Sequence, residues 1–177
     1  EILLRRSEEL GVLVEEEAHV NKVNISDPDR GAFVTSATKG DYFQPAKFII
    51  DASGQTALIA RNLDIRKWDA SFHNLAVYGY FSGAKKLETP DENNIFIESY
   101  ENGWVWTIPL GDGTTSVGVV VDSESSSSEL QKVNPASFLM SELKLARRTS
   151  EMLSNADLIS SVKVLKDWSY TTSQMAG

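Results

Sequence analysis

Residues 103–110 read GWVWTIPL. In an extended strand successive side chains point to opposite faces, so Trp104, Trp106 and Ile108 share one face while Val105 and Thr107 share the other. Pro109 has no N–H to give to a ladder, which suits the end of the strand. Two indoles on one face of a short strand make a broad aromatic wall, able to flank a flat ligand or seal a passage. The spacing taken alone favours a plainer role, a sheet face buried beneath an amphipathic helix at 135–154.

Other extended segments surround it. SFHNLAVYGYF (71–81), NIFIESYE (94–101) and TTSVGVVV (114–121) are separated by TPDEN, Asn102-Gly103 and Gly111-Asp112-Gly113. Asn-Gly and Asp-Gly between apolar runs signal hairpins, so the set predicts an antiparallel meander. SESSSSE (123–129) is low-complexity and reads as a mobile loop. Asn134-Pro135 supplies an N-cap with proline at N1, and Leu139, Leu143, Ala146 and Leu153 follow at helical spacing. LISSVKVLKDWSY (158–170) reads as one more strand.

The first third has a different texture. EILLRRSEELG (1–11) is the last stretch of an amphipathic helix, with Gly11 as its C′ residue. VLVEEEAHVNKVNI (12–25) reads as one or two strands, GAFVTSAT (31–38) as another, and KGD (39–41) as the turn after it. In KFIIDASG (47–54) the unbroken run Phe48-Ile49-Ile50 enters Asp51, the pattern of a strand covered on both faces. TALIARNL (56–63) follows as a short helix. The predicted fold class is α+β: a partial α/β domain edge at 1–65, an antiparallel sheet with a packed helix at 66–170, and a return to the first domain beginning at 171–177. With no initiator Met and no closing element, the chain reads as the central piece of a larger protein.

Composition excludes several function classes. The 177 residues carry a formal charge of −8 and no clustered Lys/Arg stripe, so nucleic acid and anionic membranes are not expected partners. No apolar run approaches the roughly 20 residues of a membrane span, and with no leader the expected location is cytoplasmic. There is no cysteine, and neither His19 nor His73 has a second ligand at metal-binding spacing, so no metal site is expected.

Asp51-Ala52-Ser53-Gly54 joins a strand to a helix. Small residues let backbone approach a ligand, and an acid at a strand's C-terminal edge is a usual place for ligand contacts in α/β sheets. A tight turn with Asp51 capping the helix explains the same residues. The segment, with Leu58-x-Ala60-Arg61 after it, resembles the D-A-S-G stretch of FAD-dependent oxidoreductases related to p-hydroxybenzoate hydroxylase. Trp104-x-Trp106-x-Ile108-Pro109 in turn is similar to the W-x-W-x-I-P signature of flavin-dependent halogenases at every fixed position. TSVGVVV (115–121) and DWSYTTSQMAG (167–177) resemble the same family, and the likeness extends over essentially the whole chain.

That resemblance implies a parent enzyme in which reduced FAD and oxygen convert chloride or bromide to hypohalous acid. The acid then travels through a tunnel to an electron-rich aromatic or heteroaromatic substrate, free or tethered to a carrier, and a flavin reductase supplies the reduced flavin. It implies that Asp51, Ala52, Ser53 and Gly54 lie near the flavin or its diphosphate, and that Val20 contacts adenine through backbone atoms. Trp104, Trp106, Ile108 and Pro109 would wall substrate off from flavin. None of the chain's lysines sits in the family's lysine motif, so no catalytic residue is expected here. No Gly-x-Gly-x-x-Gly is present, so the chain alone is expected to bind FAD weakly or not at all. Reductases of the geranylgeranyl type and aromatic hydroxylases share D-A-S-G but not W-x-W-x-I-P. A non-catalytic module gripping an apolar ligand or a carrier protein also stays open on the residues.

Overall fold

The structure, a computed structural model, describes residues 1–69, 71–167 and 169–174. Trp168 of the closing Trp-Ser-Tyr and the end of the expected 171–177 return lie outside the described residues. From the N-terminus the elements are α1 (Ile2–Glu9), β1 (Ala18–Asn24), β2 (Gly31–Ser36), β3 (Gly40–Pro45), α2 (Leu58–Asn62) and β4 (Arg66–Trp68). Then come β5 (Asn74–Ser82), β6 (Phe96–Tyr100), β7 (Gly103–Pro109), β8 (Thr115–Asp122), α3 (Ser123–Leu130), α4 (Pro135–Leu143) and α5 (Arg147–Met152). Short strands β9 (Asp157–Leu158), β10 (Lys163–Lys166) and β11 (Tyr170–Thr172) follow. The fold is α+β, with every described ladder antiparallel. Two compact units result, one formed by Glu1–Trp68 with the segment from Tyr170, the other by Asp69–Ser169. No described helix is long and apolar enough to cross a membrane.

In the first unit α1 ends as its glycine predicts. Gly11 adopts φ +93°, the Val12 N–H reaches the Ser7 carbonyl at 3.0 Å, and the Gly11 N–H reaches that of Glu8 at 2.9 Å, a Schellman pair. Strands β1, β2 and β3 form one sheet in that order. β3 was not legible: the turn expected over 39–41 gives way at Gly40 to a strand. A bulge between Val20 and Lys22 leaves Asn21 out of register, its amide donating to the Thr35 hydroxyl at 2.7 Å. β4 and β11 pair, with the Arg66 guanidinium 4.4 Å from the Trp68 ring and 5.6 Å from that of Tyr170. The expected doubly covered strand at 47–54 is a correction. It joins no ladder, and Phe48 and Ile50 are 85% and 91% exposed, because a strand needs partners and no described segment pairs with it.

The second unit is built on a six-stranded sheet ordered β10-β5-β8-β7-β6, with β9 also on β5. Only β6-β7-β8 is a meander. β5 crosses to the far side of β8, and the expected single strand at 158–170 is three short ones. The valine run of β8 explains its central place, since a strand paired on both sides and buried reads as continuous apolar sequence. One sheet face, carrying Leu75, Val77, Phe81, Val105, Val117, Val119 and Val121, packs with Phe138, Leu139 and Leu143 of α4 and with Ala146.

Two helical expectations also change. The Ser/Glu run is helical as α3, because Asp122 accepts the Ser125 N–H at 2.9 Å and caps it. The long helix at 135–154 begins as predicted, with Asn134 accepting the Ser137 N–H, but it breaks into α4 and α5 around Ala146. The break is held from outside. The Glu98 carboxylate of β6 accepts the Arg148 N–H at 3.0 Å and the Thr149 N–H and hydroxyl at 2.7 Å each, capping α5 across the fold.

Burial pushes the Glu98 carboxyl up, but these hydrogen bonds outweigh it and hold the carboxyl below its usual range. The stability this cap contributes is therefore present above the unfolded carboxylate's pKa and lost as pH falls through the lower folded value. Glu98→Ala should cost about 0.5–2 kcal/mol at neutral pH. Glu98→Gln should flatten the loss of stability in acid, measured by urea denaturation at a series of pH values; an unchanged acid slope would remove this role for Glu98.

Candidate functional site

The core lies on the Val105 and Thr107 side of β7, so the indoles face away from α4. This overturns the plainer expectation of a tryptophan face buried beneath the helix. Alternation dictates that Trp104, Trp106 and Ile108 share a face, and the helices cover the opposite one. The open face is built row by row across three strands. Tyr78, Gly118 and Trp106 are in register, as are Ala76, Val120 and Trp104. The Trp104 and Trp106 rings lie 6.0 Å apart with planes at 52°, and Tyr78 is 5.7 Å from Trp106. Trp104 is 38% exposed. The Trp106 indole N–H donates to the Ser116 hydroxyl at 3.3 Å, which fixes the ring's direction.

Gly118 makes this arrangement possible. A Cβ there would overlap both the Trp106 ring and Tyr78 Cβ, so only glycine lets the indole lie over the β8 backbone. The aromatic face borders a cavity of about 470 Å³ lined also by Leu165, Asn74, Asp167 and Ser169. At its polar end Asp167 accepts from the Asn74 N–H and amide at 3.1 and 2.8 Å, and from the Ser169 N–H at 2.6 Å. The Ser169 side chain foremost, with these bonds, holds its carboxyl at about 2, so it remains an acceptor across the working pH range. Ile108 shares the indole face, whereas Pro109 falls with Thr107 on a small cavity at the helix side.

In the first unit a cavity of about 450 Å³ is lined by Val20, Asp51, Ala52 and Ser53 together with Asn21 and Ile59. Gly54, at φ +61°, instead lines a neighbouring cavity of about 400 Å³ that Asp51 shares. Asp51 works as a cap. It accepts the Ser53 N–H at 2.9 Å and the Ile59 N–H at 2.8 Å, while the Ser53 hydroxyl accepts the Leu58 N–H at 3.0 Å. Burial raises the Asp51 carboxyl, and those bonds more than offset it to leave it below its usual range. The first amides of α2 are thereby already satisfied.

The tryptophan halogenase family model matches residues 1–151 of this chain. The chain belongs to the tryptophan halogenase family. It is 34% identical over 199 residues to the flavin-dependent halogenase armH3 of Armillaria mellea, covering 100% of this chain and 39% of that protein. Among solved structures it superposes on CmlS, a flavin-dependent halogenase, with a TM-score of 0.86 at 34% identity over 97% of this chain and 31% of the other. It superposes on the myxobacterial chondrochloren halogenase CndH with a TM-score of 0.87 at 32% identity, covering 97% of this chain and 40% of that one. The chain thus spans well under half the length of these relatives.

Within this halogenase-family chain, three site residues escape a reading of the sequence. Tyr78 is signalled only by alternation in VYGYF, Gly118 only as the break in TSVGVVV, and Asn21 only by its bulge. Gly118→Val should tilt Trp106 off β8 and destabilise the second unit by about 1–3 kcal/mol. Its near-UV circular dichroism and tryptophan fluorescence should change while the far-UV spectrum holds. Gly111→Ala, which meets nothing within 4 Å, should leave all three unaltered.

Proposed function

We propose that the chain is the central part of an FAD-dependent halogenase, and that the indole face of β7 walls a space in which an electron-rich aromatic or heteroaromatic substrate meets oxidised halide. The observation that carries this reading is the position of Trp104 and Trp106 on the open sheet face beside a 470 Å³ cavity, not in the core. The family match over residues 1–151 and the complete W-x-W-x-I-P string support it. In the intact protein reduced FAD and oxygen together would supply the oxidising equivalents that make halide electrophilic. The residues of this chain have passive roles: Trp104, Trp106 and Ile108 present an apolar surface that excludes water and keeps substrate from cofactor, and Pro109 ends the strand.

The cofactor fit is partial. Val20, Ala52 and Ser53 offer small side chains and backbone along one cavity, and Gly54 along the next, which suits the edge of an extended cofactor. They do not suit a diphosphate, because Asp51 and Ser53 already occupy the first α2 amides. Asp51 orders the loop through these bonds, and its place on both cavities leaves it at the cofactor's edge and not at the diphosphate. The parent's further partners on this reading are halide, a free or carrier-tethered substrate and a flavin reductase, in the cytoplasm.

Full-length parent supplied with a flavin reductase and its reduced nicotinamide, FAD, oxygen and an aromatic substrate panel should form halogenated product only when chloride or bromide is present. Hydroxylated or reduced product that ignores halide would replace this reading with that of a monooxygenase or reductase. The isolated 177-residue chain, titrated with FAD, should show weak binding or none. Tight stoichiometric binding would mean that a diphosphate cradle exists within it.

A further inference from the structure

Beneath the aromatic face, on the helix side of the same strand, lies a second polar feature. Thr107 is 2% exposed. Among the described residues three buried side-chain oxygens have no hydrogen-bond partner, and two of them are Thr107 Oγ1 and Glu92 Oε2. Both residues line one small cavity of about 10 Å³, with Lys85, Lys86, Asn94, Thr115 and Met152 among its walls. The backbone on either side of Glu92 is held by hydrogen bonds. The Asp91 N–H bonds the Glu88 carbonyl at 2.8 Å, the Asn94 N–H bonds that of Asp91 at 2.9 Å, and the Lys85 N–H bonds that of Met152 at 2.8 Å.

We propose that this cavity is a built site for a single ordered water that bridges Glu92 and Thr107 and so ties the 83–95 connection to the W-x-W-x-I-P strand. Size and chemistry agree. One water needs roughly 10–15 Å³ of such volume and two to four polar partners. A carboxylate oxygen only accepts, while a threonine hydroxyl both donates and accepts. The occupant must therefore donate to Glu92 and can accept from Thr107, which water does. A halide could donate nothing to Glu92 and would leave that oxygen unpartnered, whatever charge Lys85 and Lys86 bring to the wall. An alkali cation calls for more oxygen ligands than these two. Without an occupant both groups would bear the desolvation cost of a lost hydrogen bond.

The site's role follows from its place. Thr107 is flanked by Trp106 and Ile108, and its neighbours in register are Phe96 on β6 and Val117 on β8. Anchoring Thr107 from below holds that stretch of β7 against the core while the indoles stand on the other side. The inference is independent of halogenation and is tested on the 177-residue chain without flavin.

A high-resolution crystal structure should show one water within hydrogen-bonding distance of both oxygens. Thr107→Val, which keeps the shape and removes the hydroxyl, should lower Tm by roughly 2–4 °C. Glu92→Gln, which keeps a polar partner, should lose less and retain the water. A direct Thr107–Glu92 bond, an empty cavity, or Tm that rises when sodium is exchanged for potassium at fixed ionic strength would each overturn the proposal. Should Thr107→Val fail to fold, the native structure and Glu92→Gln decide the matter.

Discussion

The packing of one valine-rich sheet face beneath α4 is the constraint from which the rest of the second unit follows. Val105, Val117 and Val119 are fully buried there against Phe138 and Leu139, each such side chain contributing about 1.5–3 kcal/mol relative to exposure. Once that face is committed, the two-residue period of a strand leaves no freedom about the other. Trp104 and Trp106 must stand opposite, and a one-residue slip of β7 would bury the indoles and expose Val105 and Thr107. The core thus positions the candidate site by excluding the tryptophans from itself.

Much of this was readable from local signals. The Gly11 terminus, the Asn134 cap and the tight connections on either side of β7 each depend on residues close in sequence, whose preferred backbone angles and caps act within one turn. What was not readable depends on distant partners. Spacing at 135–154 favours one helix, and only Glu98, about fifty residues earlier, makes a break at Ala146 favourable by capping α5. The Ser/Glu run has poor intrinsic helix propensity, yet Asp122 and the neighbouring core make it α3. Which face of β7 the helices would cover is likewise a tertiary fact: alternation assigns residues to two faces and leaves their names open.

The first unit carries the same lesson at Lys47–Gly54. Phe48, Ile49 and Ile50 have the pattern of a strand covered on both sides, but a ladder is a property of pairs. With no described segment to pair with, the same residues form no strand and two of the three side chains face solvent. The D-A-S-G segment after them was legible in both of its meanings. As a cap it satisfies the α2 amides, and as a run of small residues it lines cavities shared with Val20 on one side and with Tyr170 and Thr172 on the other. The first role limits the second, because amides bonded to Asp51 and Ser53 are not available to an anion.

The two faces of β7 also separate what stability explains from what it does not. The unspecified positions of the W-x-W-x-I-P string, Val105 and Thr107, are those that pack against the core, where side-chain volume and β-propensity govern Val105 and the buried hydroxyl adds a polar demand at Thr107. Three of its four specified positions, Trp104, Trp106 and Ile108, point to the open face, where packing demands little and a polar residue would be the ordinary choice. An aromatic pair there, given room by a glycine on the next strand and aimed by a hydroxyl on the same strand, is not accounted for by the fold's own needs. The residues that fit the core poorly as a reason are the ones that fit a ligand-facing wall, and the chemistry proposed for the parent needs such a wall at a place where water must be kept out.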